Sequence, residues 1–75
     1  MSLQLPESIS DKVKNFPEYR MGANRVKLVL KNGAVINDVY IAWSTSIVKI
    51  GNKLVESSDQ LNFEVDDIYE VIDDA

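Results

Sequence analysis

The feature that most constrains the fold of this chain is an Asn-Gly pair that follows a stretch of alternating apolar residues. Val26, Leu28 and Leu30 occupy every second position before the pair, which places their side chains on one face of a strand. Asn32 and Gly33 both tolerate the positive φ that a two-residue type I′ turn demands. The sequence therefore predicts a β-hairpin that reverses at these two residues.

The strand that follows this turn is too long to remain flat. Residues 34–43 form a mostly apolar stretch, and the polar residues Asn37 and Asp38 interrupt it, which predicts a bulge or a sharp bend at that point. Beyond the bend, alternation places Trp43 on the buried face and Tyr40 on the opposite one. Trp43 is therefore expected to pack in the core, and Tyr40 to face a contact surface.

A short helix precedes this hairpin, and further strands follow it. Pro6 and Pro17 bracket an apolar stripe at helical spacing, which predicts a helix over about residues 6–15. The remaining predicted strands are short and bounded by turn signals: 46–50, 53–57 and 68–72. We therefore expect a mainly β fold, with a short N-terminal helix and a five-stranded small barrel over about residues 25–73 of a single domain, 1–75.

Residue composition excludes several classes of function. The 75 residues contain no Cys and no His, so disulfides and the usual ligands of zinc, copper and haem are missing. The commonest catalytic base and the best nucleophile are missing too, which predicts a protein that is not an enzyme and has no cofactor. Without an apolar run of about 18 residues or a signal-peptide pattern, we expect a cytoplasmic protein that does not enter the membrane.

Charge is divided unevenly along the chain. Residues 1–53 contain all eight basic residues and four acids, whereas residues 54–75 contain eight acids and no base. The acidic segment is interpreted as a solvated surface. Asp66 and Asp67, which belong to this segment, are interpreted as a turn-initiating pair rather than a cation site. The alternative interpretation is a basic surface that is held apart from an acidic one.

Residues 26–50 resemble the first sequence motif of the Sm-like family, whose members are small five-stranded SH3-like barrels with an N-terminal helix. The alternating apolar residues, the Asn32 and Gly33 pair, the aromatic Trp43 and the strand IVKI keep the spacing of that motif without a gap. The match is best to the bacterial RNA-chaperone branch of the family. The resemblance implies a homo-oligomeric ring of about five to seven subunits.

The sequence departs from the family where the family binds RNA. Asp38 stands at the motif's second glycine, Ser44 at its usual Asp, and Val48 where many Sm proteins have an Asn that contacts a base. Asp66 and Asp67 lie in the region of the second motif, where the family supplies basic residues. Because carboxylates repel a phosphate backbone, we expect weak RNA binding.

Two functions agree with these patterns. The first is an oligomeric binding or assembly module whose ligand is a protein or small molecule that the sequence does not identify. Its subunit contact is expected on the last strand, at Ile68, Tyr69, Val71 and Ile72. The alternative is an Sm-like RNA-binding protein with a relocated basic surface at Lys12, Lys14, Arg20, Arg25 and Lys27. The residues expected to contact a partner or RNA are Tyr19, Arg20, Arg25, Lys27 and Tyr40.

Overall fold

A computed structural model describes residues 3–18 and 22–74 of the chain, and its architecture is mainly β, as predicted. The elements, in chain order, are helix α1 Glu7–Val13 and strands β1 Ala23–Leu30, β2 Val35–Ala42, β3 Ser46–Ile50, β4 Lys53–Leu54 and β5 Ile68–Asp73. The strands form one antiparallel sheet in the order β4-β3-β2-β1-β5. Within the described residues β4 and β5 do not pair with each other, so they are the two edges of the sheet.

Helix α1 covers one face of the sheet because its apolar stripe joins the core. Leu5, Ile9 and Val13 are buried at helical spacing and pack with buried side chains from the strands. Among residues 3–18 and 22–74, the buried core consists of Leu5, Ile9, Val13, Val26, Leu28, Leu30, Val39, Ile41, Ile47, Val55, Ile68 and Val71. No helix in the described part of the chain is long and apolar enough to cross a bilayer.

Strand β1 alternates between the two faces of the sheet, as the sequence predicts. Val26, Leu28 and Leu30 are buried in the core that α1 also joins, whereas the residues between them are only partly buried. Arg25 and Lys27 therefore lie on the sheet face opposite α1, which we call the outer face.

The first hairpin turns differently from the prediction. The N–H of Leu30 donates to the carbonyl of Ala34 at 2.8 Å, and the N–H of Gly33 donates to the carbonyl of Leu30 at 2.9 Å, so the loop contains three residues. Gly33 has the expected positive φ of 91°, but Asn32 does not, and its Oδ1 accepts a hydrogen bond from the N–H of Ala34. A turn followed by a left-handed glycine is a common three-residue hairpin loop. The predicted two-residue type I′ turn is therefore wrong.

Strand β2 bends where the sequence predicts. Val26 pairs with Val39 and Leu28 pairs with Ile36, so β2 has one more residue than β1 between these pairs. Asp38 lies in this extra stretch and has a φ of 56°. A left-handed conformation at a non-glycine residue costs roughly 1–2 kcal/mol, and Asp is among the side chains that adopt it most readily. Asp38 is therefore a residue that tolerates the left-handed backbone conformation at this bulge.

The turn between β2 and β3 has no Gly or Asn signal in the sequence. Trp43 and Ser44 have φ values of 53° and 63°, and the N–H of Thr45 donates to the carbonyl of Ala42 at 3.0 Å. Positive φ at both central residues is the backbone that a type I′ turn requires. Trp43 leaves the alternation of β2 at this turn, and its side chain is 74% exposed. The prediction that Trp43 packs in the core is therefore wrong.

Hydrogen bonds from the N-terminal segment hold this turn in place. The buried hydroxyl of Ser10 donates to the carbonyl of Ser44 at 2.6 Å, and the N–H of Leu5 donates to the carbonyl of Thr45 at 2.7 Å. These bonds join α1 and the segment before it to the β2–β3 turn. Tertiary contacts can therefore offset the backbone strain of two left-handed residues.

Strand β4 is shorter than predicted, since it ends at Leu54 rather than at residue 57. The chain then turns into a 3-10 helix, Ser58–Gln60, because Gln60 Oε1 accepts hydrogen bonds from the N–H groups of Glu56 and Ser57 at 2.6 and 3.0 Å. A second 3-10 helix, Val65–Asp67, leads directly into β5.

We predict that Gly33→Val lowers the free energy of unfolding by about 1 kcal/mol or more, because valine is strained at positive φ. Nothing lies within 4 Å of a Cβ at this position, so the loss reports backbone strain rather than a clash. Gly33→Asn is the matched control and should lose less, since Asn tolerates the left-handed region. Urea unfolding of the three proteins measures the difference. Equal losses for Val and Asn would contradict the prediction.

Candidate binding surfaces

The outer face of the sheet brings together three of the five residues predicted to contact a partner. Arg25 and Lys27 lie on β1, and Tyr40 lies on β2 directly opposite Arg25. The other two predicted residues, Tyr19 and Arg20, lie outside the described residues.

Carboxylates accompany both β1 cations on this face. The Arg25 guanidinium donates a hydrogen bond to Asp38, and its Nε lies 3.9 Å from Asp74 Oδ2. Lys27 Nζ lies 3.9 Å from Asp74 Oδ1. The hydrogen bond to Asp38 raises the pKa of Arg25 above its ordinary value. Because carboxylates already lie beside these two cationic side chains, they attract phosphate less than cationic side chains without an acidic neighbour would.

Tyr40 also has a cation against its ring. Lys49 lies opposite Tyr40 on β3, and its Nζ is 5.0 Å from the centroid of the Tyr40 ring. This distance is typical of a cation–π contact. A nucleobase that stacked on this ring face would have to displace Lys49, so Tyr40 is not an open stacking platform there.

The described members of the predicted basic surface do not share one face. Lys12 and Lys14 belong to α1 and its C-terminal cap, and α1 packs on the buried face of the sheet. Arg25 and Lys27 lie on the outer face, on the other side of the sheet. Lys14 Nζ also lies 3.4 Å from the carboxylate of Asp11. The four described cations therefore do not form one surface.

The two edge strands carry exposed apolar side chains. Leu54 on β4 is 66% exposed, and Tyr69 and Ile72 on β5 are 67% and 46% exposed. Ile68 and Val71, two of the four residues at which the subunit contact is expected, are already buried within the chain, at 5% and 4% exposure. Of the four residues at which the subunit contact is predicted, only Tyr69 and Ile72 are exposed on β5.

A bulge in β5 explains this division. Val29 pairs with Glu70, and Leu30 pairs with Ile68, so Tyr69 is an extra residue on β5. The bulge breaks the alternation of the strand, and the buried positions are consequently three residues apart. A regular alternation of buried and exposed residues therefore does not predict which apolar side chains of this strand remain exposed.

Trp43, which the alternation of β2 predicts to be buried, is an exposed aromatic residue. Its backbone N–H donates to the carbonyl of Gly22 at 2.7 Å. Its ring covers that glycine, because a Cβ at Gly22 would lie 2.9 Å from Trp43 Cη2. The ring also borders a small pocket of about 360 Å³ with Lys14 and Phe16. The absence of a side chain at Gly22 therefore sets the position of the indole ring.

The acidic pair predicted to initiate a turn lies in the 3-10 helix Val65–Asp67, just before β5. The N–H of Asp67 donates to the carbonyl of Glu64 at 2.9 Å, and the N–H of Lys31 donates to the carbonyl of Asp67 at 2.8 Å. Asp66 and Asp67 belong to the first turn of this helix, although no side chain caps its N-terminus. The pair therefore lies at the start of a helical turn, as predicted.

No family model, no curated protein and no solved structure matches this chain.

We predict that Gly22→Ala moves the indole of Trp43, because the added methyl group would come closer to the ring than side chains normally pack. Trp43 is the single tryptophan, so its emission spectrum and quenching by acrylamide report the movement directly. Gly51→Ala is the matched control, since Gly51 also has positive φ but nothing lies within 4 Å of its Cβ position. The control should lose stability without changing the emission. An unchanged spectrum for Gly22→Ala would contradict the proposed contact.

Proposed function

We propose that this chain is a non-enzymatic Sm-like module that assembles head to tail into a ring and presents a binding surface. The observation that carries the proposal is the exposure of apolar side chains on both edge strands, Leu54 on β4 and Tyr69 and Ile72 on β5. The lack of His and Cys in the sequence supports a binding role over catalysis.

Strand edges and exposed apolar side chains favour the same contact. An edge strand has backbone groups on its outer side that can pair with another chain. If β4 of one subunit pairs with β5 of the next, Leu54 is brought to the edge that carries Tyr69 and Ile72, and apolar area is removed from water. Such a contact is heterologous, and it forms a ring where the rotation between subunits closes. A ring of about five to seven subunits is the proposed assembly.

Backbone geometry supports the Sm-like assignment. The motif that residues 26–50 resemble has its second glycine at the position of Asp38, and Asp38 has the positive φ that glycine adopts most easily. The helix followed by five antiparallel strands is also the element order of the family. The bend that this position introduces into β2 is the feature through which a short sheet could curl into a barrel.

The RNA-binding alternative receives less support. Lys12 and Lys14 lie on the other side of the sheet from Arg25 and Lys27, and the β1 cations face carboxylates. Because affinity for RNA depends mainly on cations that neutralise phosphates, this arrangement favours weak binding.

We predict that the assembly depends on both edges. Leu54→Lys and Ile72→Lys each place a charge on one edge strand, so each substitution alone should reduce the mass measured by multi-angle light scattering to that of one 8.4 kDa chain. Val35→Lys is the matched control, because Val35 is 49% exposed but lies on β2, away from both edges. The control should keep the mass of the unmodified protein. Its dissociation would show that the contact lies elsewhere.

Mixing the two edge variants tests the direction of the contact. In a head-to-tail assembly, Leu54→Lys retains an intact β5 edge and Ile72→Lys retains an intact β4 edge. An equimolar mixture should therefore form one native contact and yield a heterodimer of about twice the chain mass, without a ring. An isologous β5–β5 contact predicts instead that Leu54→Lys alone still self-associates and that mixing restores nothing.

We also predict weak RNA binding. Fluorescence anisotropy with labelled oligo-U and oligo-A in about 150 mM salt should give dissociation constants weaker than about 1 μM. Replacing Asp66 and Asp67 by Asn should strengthen binding, since two repulsive charges are removed. Replacing Asp11 and Glu70, by Asn and Gln, is the control with the same net charge. Nanomolar binding by the unmodified protein would favour the RNA-binding alternative.

A further inference from the structure

A groove separates the segment before α1 from the loop that joins β4 to β5. Its volume is about 1020 Å³, at the upper end of the roughly 300–1,000 Å³ typical of small-molecule sites, so it can accept several side chains. The lining residues are Gln4, Leu5, Pro6, Ser58, Asp59, Leu61, Asn62, Phe63, Glu64, Val65, Asp66 and Asp67. None of these residues is basic.

Hydrogen bonds to the body of the protein fix both walls of this groove. On one side, the N–H of Leu5 donates to the carbonyl of Thr45, and the N–H of Ile47 donates to the carbonyl of Leu3, at 2.7 and 3.1 Å. On the other side, the carbonyl of Asp67 accepts from the N–H of Lys31 at 2.8 Å. The groove is therefore built before any ligand binds, which lowers the entropy cost of binding.

The floor of the groove is apolar. Leu61, Phe63 and Val65 pack against the core but remain partly exposed, and Leu5 lies beside them. Partly exposed apolar side chains in a preformed concave site favour a ligand that has apolar groups of its own. A purely ionic ligand would leave this surface without a partner.

The charged residues that line the groove, which we call its rim, are all acidic. Asp59, Glu64, Asp66 and Asp67 all line it, and none forms an ion pair with another residue in the described ranges 3–18 and 22–74. Across the same ranges no three acidic side chains are arranged to hold a metal ion. The positive charge that complements this rim is therefore spread along a ligand rather than concentrated in one cation.

We propose that this groove binds a segment of a partner protein in which Lys or Arg side chains alternate with apolar ones. The cations face the four rim carboxylates while the apolar side chains cover the floor. This binding goes beyond the ring assembly and does not rest on it, because the lining residues differ from those that carry the edge contact. RNA is disfavoured at the groove, since its phosphates would face the same four carboxylates.

A synthetic probe tests the proposal with the full chain. The probe is a fluorescein-labelled peptide of about ten residues that alternates Arg and Leu, and anisotropy measures its binding at salt concentrations from about 50 to 500 mM. We expect saturable binding that weakens as salt rises. Asp66→Asn combined with Asp67→Asn should weaken it by about tenfold. The control with matched charge, Asp11→Asn combined with Glu70→Gln, lies outside the groove and should change it by less than about threefold.

A second comparison tests the apolar floor. A peptide of the same length that alternates Arg and Ser carries the same charge and should bind about tenfold more weakly than the Arg-Leu peptide. Phe63→Ala should remove most of this difference, and circular dichroism checks that the variant remains folded. Because the two peptides are compared on the unmodified protein, this test holds even if Phe63→Ala unfolds.

Three results would overturn the proposal: no saturable binding, equal losses for the groove variant and its charge control, or equal binding of the two peptides. The second result would mean attraction to the net negative charge alone. Each result can be distinguished from failure of the ring, because light scattering of the same samples reports the assembly independently.

Discussion

The packing of α1 on the sheet is the interaction on which the other surfaces depend. A chain of 75 residues has room for one thin core, and the stripe of Leu5, Ile9 and Val13 packs with the buried side chains of the strands in that core. Because the helix occupies this face, the charged residues of β1 must lie on the outer face. Leu54, Tyr69 and Ile72 lie outside this core and remain exposed on the two edge strands.

The sequence predicts the parts of this structure that follow from local rules. The helical stripe, the alternation of β1 and the bend near Asp38 all appear at the expected places. The predicted length of the loop at Gly33 is wrong. A glycine at positive φ fits a three-residue loop as well as a two-residue one, so its presence does not determine the loop length.

Features that depend on distant contacts could not be predicted. Trp43 and Ser44 adopt left-handed conformations that neither residue prefers, and the bonds that hold the turn come from Ser10 and Leu5, more than 30 positions earlier in the chain. The extra residue at Tyr69 likewise depends on the register between β5 and β1. Local sequence patterns therefore do not show which side chains of these strands are exposed.

We propose that the edge strands pair head to tail between subunits, and the mass of the unmodified protein in solution is the simplest test of this pairing. Light scattering over a range of micromolar concentrations should give one mass that is a whole multiple of 8.4 kDa, corresponding to about five to seven subunits. A closed ring should keep this mass as concentration rises, because it has no free edge to extend. A mass of 8.4 kDa at every concentration would contradict the account and indicate a monomer.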